Sequence, residues 1–267
     1  MKKRVLSAIV MLLIFVPIFL IGGRLFNLLF FALTLLGLRE FIKIKENKYP
    51  DFIKLISYLS ISLLYFSNTF VTDFAFHIDY KLLAGIFLII LLPVVLYHDE
   101  KIYNVNDAFY LLGGILFLGI SMSLFNIYRE LNPKILLLLF LTSIITDTYA
   151  YIVGNLIGKN KLLENISPNK TWEGTIGGSL VATFVCSIYY LTIINNNESI
   201  FKIGVIILFL SLVGQFGDLF FSAIKRTYKV KDFSNLIPGH GGILDRFDSL
   251  IFILLAFLFF VEVILWL

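Results

Sequence analysis

Long apolar runs recur from one end of this 267-residue chain to the other. Those at 5–22, 25–40, 52–68, 82–97, 108–127, 135–157, 175–195, 203–221 and 250–267 approach the roughly 20 residues that carry an α-helix across a bilayer. The runs at 52–68 and 82–97 are short for a perpendicular helix, so the expected count is about nine. None shows the strict alternation of a transmembrane barrel strand. With 59% hydrophobic and 15% charged residues, against about 25% charged in soluble domains, the chain reads as an all-α, polytopic integral membrane protein.

Charge placement orients it. If the N-terminus is cytoplasmic, only Arg24, Lys81, Arg129, Lys134 and Lys202 of the 22 Lys and Arg fall on the far side. The cytoplasmic side collects Lys2, Lys3 and Arg4, then Arg39 through Lys54 (Lys48 included), Lys101, Lys159, Lys161 and Lys170, and finally Lys225, Arg226, Lys229, Lys231 and Arg246. That bias predicts an odd number of spans with the N-terminus inside. The Lys-Lys-Arg start resembles a signal peptide, but no small-residue cleavage site follows, and retention is expected. Cys186 is the sole cysteine, which excludes an intramolecular disulfide and a cysteine-cluster metal site.

The polar residues are unevenly spread. Residues 1–130 read as transmembrane scaffold with room for oligomer contacts, the exception being Arg39-Glu40 at the end of the second run. Residues 131–267 combine transmembrane helices with the cytoplasmic loops expected to form the catalytic site. No repeat at a fixed period supports an inverted-repeat transporter.

Three constellations stand out. The first begins at Asp147, inside an apolar run, where a carboxylate costs several kcal/mol unless it meets water, a cation or a donor. Downstream, Ser167-Pro168 reads as a helix start with Lys170 beside it, a place to hold phosphate; an interhelical hydrogen bond is the plainer role for Asp147. In the second, Asp218, Ser222 and Lys225 fall at i, i+4 and i+7 on one helix face. Two turns are too far for a direct Asp218–Lys225 pair, so a metal or phosphate between them is expected. The third is His240-Gly241-Gly242 followed by Asp245-Arg246-Phe247-Asp248. Its two carboxylates share the first turn of the last helix, where acidic residues are also simply favourable. Hard oxygen ligands of this kind suit Mg²⁺ with substrate phosphates.

From Ser222 to Asp248 the chain resembles the signature of the phosphatidate cytidylyltransferases, the CDP-diacylglycerol synthases. Ser222, Ile224, Lys225-Arg226, Lys231-Asp232, Ser234, Ile237-Pro238, His240-Gly241-Gly242, Asp245-Arg246 and Asp248 all match it. Upstream, Asp147-x-x-Ala150-Tyr151 and Ser167-Pro168-Asn169-Lys170-Thr171-x-Glu173-Gly174 are also similar, with Asn169 where Lys is more usual. By motif the resemblance covers about half of the chain; the N-terminal half matches in being hydrophobic and multi-span.

The resemblance implies transfer of the cytidylyl group of CTP to phosphatidic acid, giving CDP-diacylglycerol and pyrophosphate for phospholipid synthesis. It implies Mg²⁺, with a second cation left open, and a multi-pass protein of the bacterial inner (cytoplasmic) membrane. CTP, phosphatidic acid and the bilayer are the expected partners, nucleic acid is not, and a homodimer is compatible. Asp218, Asp245 and Asp248 are the expected metal carboxylates. Asp218 and Asp245 with Lys225 and Arg246 form the expected catalytic set. Asp147, Lys170, Ser222, Arg226, His240, Gly241 and Gly242 are the expected substrate-binding residues. Two alternatives remain at this point. A polyprenol or dolichol kinase-like enzyme would transfer the terminal phosphate of CTP, and a cation or proton transporter would use Asp147 and Asp218 as intramembrane carboxylates.

Overall fold

The computed structural model describes residues 2–45, 49–69 and 79–264. Lys48 and the last three residues of the run at 250–267 lie outside them. The described chain is helical apart from one small hairpin. It runs α1 (Lys2–Ile21), α2 (Gly23–Lys43), α3 (Asp51–Thr69), α4 (Tyr80–Tyr97), α5 (Val105–Leu131) and α6 (Pro133–Ile157). The strands β1 (Lys161–Leu163) and β2 (Ser167–Thr171) follow, then α7 (Trp172–Tyr189), a π-helical turn (Tyr190–Ile194), α8 (Ile200–Thr227) and α9 (Leu244–Ile264).

Among the described residues six helices are long and apolar enough to cross a bilayer: α2, α4, α5, α6, α7 with its π-helical extension, and α8. The all-α, polytopic expectation therefore holds in this coarser form, six such helices standing against about nine apolar runs. The runs at 5–22, 52–68 and 250–267 correspond to α1, α3 and α9, and the apolar part of α1 among the described residues, Val5–Ile21, is a shorter one. Large apolar side chains such as Leu13, Leu20, Leu96 and Leu156 are exposed, which in water would be an aggregation hazard and in hydrocarbon is a solvated surface.

The chain divides into two compact units, one comprising Met1–Leu131 with Asp232–Asp245, the other Asn132–Lys231 with Arg246–Leu267. In the first, α2, α3 and α5 enclose a core of Phe26, Phe30, Ile61, Leu64, Leu118 and Phe125. The rings of Phe30 and Phe125 stack with centroids 4.4 Å apart. Gly114 and Gly119 on α5 admit Phe41 and Leu64, whose atoms stand where a Cβ would be. The loop Asp232–Asp245 belongs to this unit although nearly the whole second unit separates it from α5 in sequence.

In the second unit α6 opens with Asn132 as cap, its Oδ1 accepting from the Lys134 N–H at 3.0 Å, and Pro133 in the first turn. Helices α6 and α7 meet backbone to backbone. A Cβ on Gly178 would lie 2.6 Å from Thr146 O and 2.7 Å from Ala150 N, so only glycine allows this approach. A buried chain of hydroxyls and one amide adds direction to the packing. Thr146 Oγ1 and Ser211 Oγ are 2.8 Å apart, Ser211 Oγ reaches Ser179 Oγ at 2.9 Å, and Gln215 Nε2 donates to Ser179 Oγ at 2.8 Å. Such bonds tie helices together where the hydrophobic effect offers little between lipid-like surfaces.

Candidate active site

The helix start expected at Ser167 lies four residues later. Ser167–Thr171 is a strand paired antiparallel with β1, and Thr171 caps α7 by accepting from the Gly174 N–H at 3.1 Å. The pairing with β1, which sets Lys161 opposite Thr171 and Leu163 opposite Ser167, holds the segment extended as far as Thr171. Glu173 secures the entry by accepting from Asn160 Nδ2 at 2.7 Å. The outcome for Lys170 is that it projects from a strand and not from a helix N-terminus.

Lys170 Nζ makes an ion pair with Asp218 Oδ2 at 2.6 Å, both side chains being partly exposed. It also reaches Gln215 O at 3.5 Å. Asp218 accepts from Ser222 Oγ at 3.4 Å, one turn further along α8. The face predicted for Asp218, Ser222 and Lys225 is therefore real, and the cation that meets Asp218 comes from the hairpin. Lys225 is buried at the end of the same helix.

Around this pair the second unit assembles three carboxylates and three cations. Asp147 on α6 feels the charges of Lys170, Asp218 and Arg246, and Ser249 Oγ lies 3.5 Å from its Oδ2. Asp248 on α9 feels Asp218, Lys225 and Asp147, and accepts from the Ser249 N–H at 2.8 Å. Arg226 behaves differently. Its guanidinium is exposed and donates to Ile166 O at 3.3 Å and Val230 O at 3.2 Å, so it braces the hairpin and the end of α8.

The first unit holds His240, Gly241, Gly242 and Asp245. Pro238-Gly239 forms a type II turn, with the His240 N–H donating to Ile237 O at 2.9 Å and Gly239 at φ 79°. The Ile237 N–H donates to Gly241 O at 2.8 Å, and Gly241, at φ 82°, leaves no space for a side chain against Asp245. Asp245 Oδ2 accepts two backbone N–H groups, from Phe233 and Gly242, each at 2.9 Å. Helix α1 also reaches this turn: Ser7 Oγ is 2.7 Å from His240 Nδ1 and donates to Pro238 O at 3.0 Å.

Glu40, the polar exception at the close of the second apolar run and not among the expected site residues, meets the same loop. It is 4% exposed, and it accepts from Ser234 Oγ at 2.6 Å and from the N–H groups of Ile243 and Leu244 at 2.9 Å. Its signal in the sequence was an acidic residue closing an apolar run, which says only that a partner exists.

Chemically, the second unit offers hard oxygen donors beside cations, which is what polyphosphate and a divalent metal require. Among the described residues no three His, Cys, Asp or Glu side chains gather into a ready-made metal cage. Mg²⁺ commonly takes one or two carboxylates and completes its shell with substrate phosphates and water, so the donor set fits that ion.

The comparisons with known proteins agree in kind. The profile of the cytidylyltransferase family matches residues 2–264. The phosphatidate cytidylyltransferase of Staphylococcus haemolyticus is 38% identical over 254 residues, covering 95% of this chain and 96% of the relative. Those of Staphylococcus saprophyticus and Staphylococcus aureus are each 36% identical over 257 residues, with 95% of this chain and 96% of the relative covered.

Proposed function

This chain belongs to the cytidylyltransferase family, and from that membership we propose that it transfers the cytidylyl group of CTP to phosphatidic acid. One phosphate oxygen of phosphatidate attacks the α-phosphorus of CTP, the bond from that phosphorus to the bridging oxygen of the β-phosphate breaks, and pyrophosphate leaves. CDP-diacylglycerol remains in the bilayer. The observation that carries this reading is the Lys170–Asp218 pair, with Asp147, Asp248, Lys225 and Arg246 in electrostatic reach, in a chain otherwise built for lipid.

A phosphate monoester carries about −1.5 to −2 charges near pH 7, so the nucleophile needs no general base. The barrier lies in bringing two polyanions together and stabilising the charge that moves to pyrophosphate. Lys170, Lys225 and Arg246 answer the first need by binding phosphate oxygens, Arg246 with a planar fork suited to two at once. Asp218 orients Lys170 and, with Asp248 and Asp245, would hold Mg²⁺. When bound, that ion would draw charge from the phosphate oxygens. Arg226, Ser222 and Asp147 shape the surroundings, and the turn of His240, Gly241 and Gly242 would line the substrate.

The same reading places the protein in the cytoplasmic membrane as a multi-pass protein of about nine spans, N-terminus inside. A homodimer and a second cation are compatible with it. The deciding experiment uses purified protein in liposomes with phosphatidate, Mg²⁺ and CTP labelled either in the base or in the γ-phosphate. Base label entering the lipid extract is the expected result. Entry of γ-label alone would make the chain a lipid kinase, and entry of neither would sink the assignment.

A further inference from the structure

We infer that Glu40 is the positioning residue of the signature loop Asp232–Asp245, acting on the reaction through the loop's backbone and without touching substrate. A carboxylate buried at the end of a membrane helix is costly unless donors surround it. All three donors given above come from this loop: the Ser234 hydroxyl and the Ile243 N–H on Oε1, the Leu244 N–H on Oε2. Leu244 is the first residue of α9, so two of these are amides that open the helix and have no partner within it. A negative charge there is also favoured by the helix dipole.

The loop is shaped to admit this carboxylate. A Cβ on Gly242 would fall 2.5 Å from both Glu40 oxygens. Gly242 has no positive φ that would itself require glycine. Its lack of a side chain is therefore explained by the approach of Glu40. Asp245 takes two further donors, the N–H groups of Phe233 and Gly242. Between them the two carboxylates engage both ends of the loop, one from α2 and one from within the signature. Leu244, where α9 opens, is thus held by a residue some 200 positions earlier. The oxygens of Glu40 are occupied by the protein, which separates it from any residue that holds metal or phosphate.

The inference rests on the proposed reaction for its kinetic readout and is independent of it for its structural one. The test compares wild type, Glu40→Gln, Glu40→Asp, Gly242→Ala and the double variant Glu40→Asp/Gly242→Ala. It reads kcat, KM for both substrates, and backbone hydrogen exchange over 232–245. Gln keeps the size of Glu but turns an N–H₂ toward the Leu244 N–H; Asp keeps the charge but is one methylene shorter. A merely space-filling role would favour Gln over Asp. Positioning predicts the reverse: a fall in kcat of about 10- to 100-fold for Gln with KM changed by less than about threefold, and a smaller fall for Asp. Exchange at Ile243 and Leu244 should quicken about tenfold or more in Gln, in step with the loss of their acceptor. Gly242→Ala should loosen the same amides, and adding Glu40→Asp should restore part of their protection. Wild-type kcat and unchanged exchange in Glu40→Gln would overturn the inference, as would a Gly242→Ala defect indifferent to residue 40. If the wild type itself forms no cytidine lipid, the reaction is wrong, and the exchange data still decide the role of Glu40.

Discussion

Lys170 Nζ stands 2.6 Å from Asp218 Oδ2, which ties the β-hairpin to the middle of the polar face of α8. An ammonium held there by the carboxylate and the Gln215 carbonyl has a third hydrogen to turn to phosphate. Asp218→Asn should therefore lower turnover by about 100-fold or more and raise the Mg²⁺ concentration needed for half-maximal rate. Chelation of divalent ions should abolish wild-type activity. Near-normal turnover of Asp218→Asn at ordinary Mg²⁺ would remove this residue from the metal role.

Asp245 is expected to serve both the loop and the metal, and one substitution separates the two. Asn retains an acceptor oxygen for the Phe233 and Gly242 amides, so hydrogen exchange at those amides should change little in Asp245→Asn. The loss of charge should still reduce turnover by about 100-fold or more. Full activity would leave Asp245 with the loop alone.

Arg246→Lys keeps a cation and loses the planar fork. It should recover only part of the activity lost in Arg246→Ala, with the deficit in kcat if the contact tightens as pyrophosphate departs. A fully active Ala variant would mean that Arg246 anchors α9 at the lipid headgroups and nothing more.

The orientation can be read from one exposed loop position. Ser234 is bonded to Glu40 and unsuitable, whereas Leu236 is 48% exposed. Leu236→Cys in a Cys186→Ser background should react with an impermeant thiol reagent from the cytoplasmic face only. Labelling from outside intact cells would invert the topology.

Packing of α6 on α7 supplies a stability test. At Gly178 a methyl group would strike backbone atoms of Thr146 and Ala150, while at Gly113 nothing lies within 4 Å. Gly178→Ala should cost about 1–3 kcal/mol or more, seen as a lower Tm in detergent. Gly113→Ala should leave Tm unchanged or raise it slightly, because alanine favours helix. Equal behaviour of the two variants would contradict the close approach.

The apolar helices were legible because a helix in hydrocarbon must be apolar over its whole length, a local property. The shared face of Asp218, Ser222 and Lys225 was legible for the same reason, since helical periodicity is local. What stayed hidden depended on distant partners. Ser167-Pro168 carries the marks of a helix start, but the alternative, pairing with Lys161–Leu163, is decided by a strand six residues upstream. Lys170 meeting Asp218 spans 48 positions, and Glu40 meeting Leu244 spans 204; no pattern within either segment announces such contacts. Of the second, only the penalty was visible, a carboxylate at the close of an apolar run.

The contact between Ser7 and the Pro238–His240 turn gives the opening helix a hold on the signature loop. One hydroxyl of α1 meets both the Pro238 carbonyl, which can only accept, and His240 Nδ1, 2.7 Å away. A serine hydroxyl can pair with either form of an imidazole nitrogen, so this contact fixes the plane of the ring whichever nitrogen carries the hydrogen. The imidazole is thus aimed by a residue more than 230 positions away in sequence.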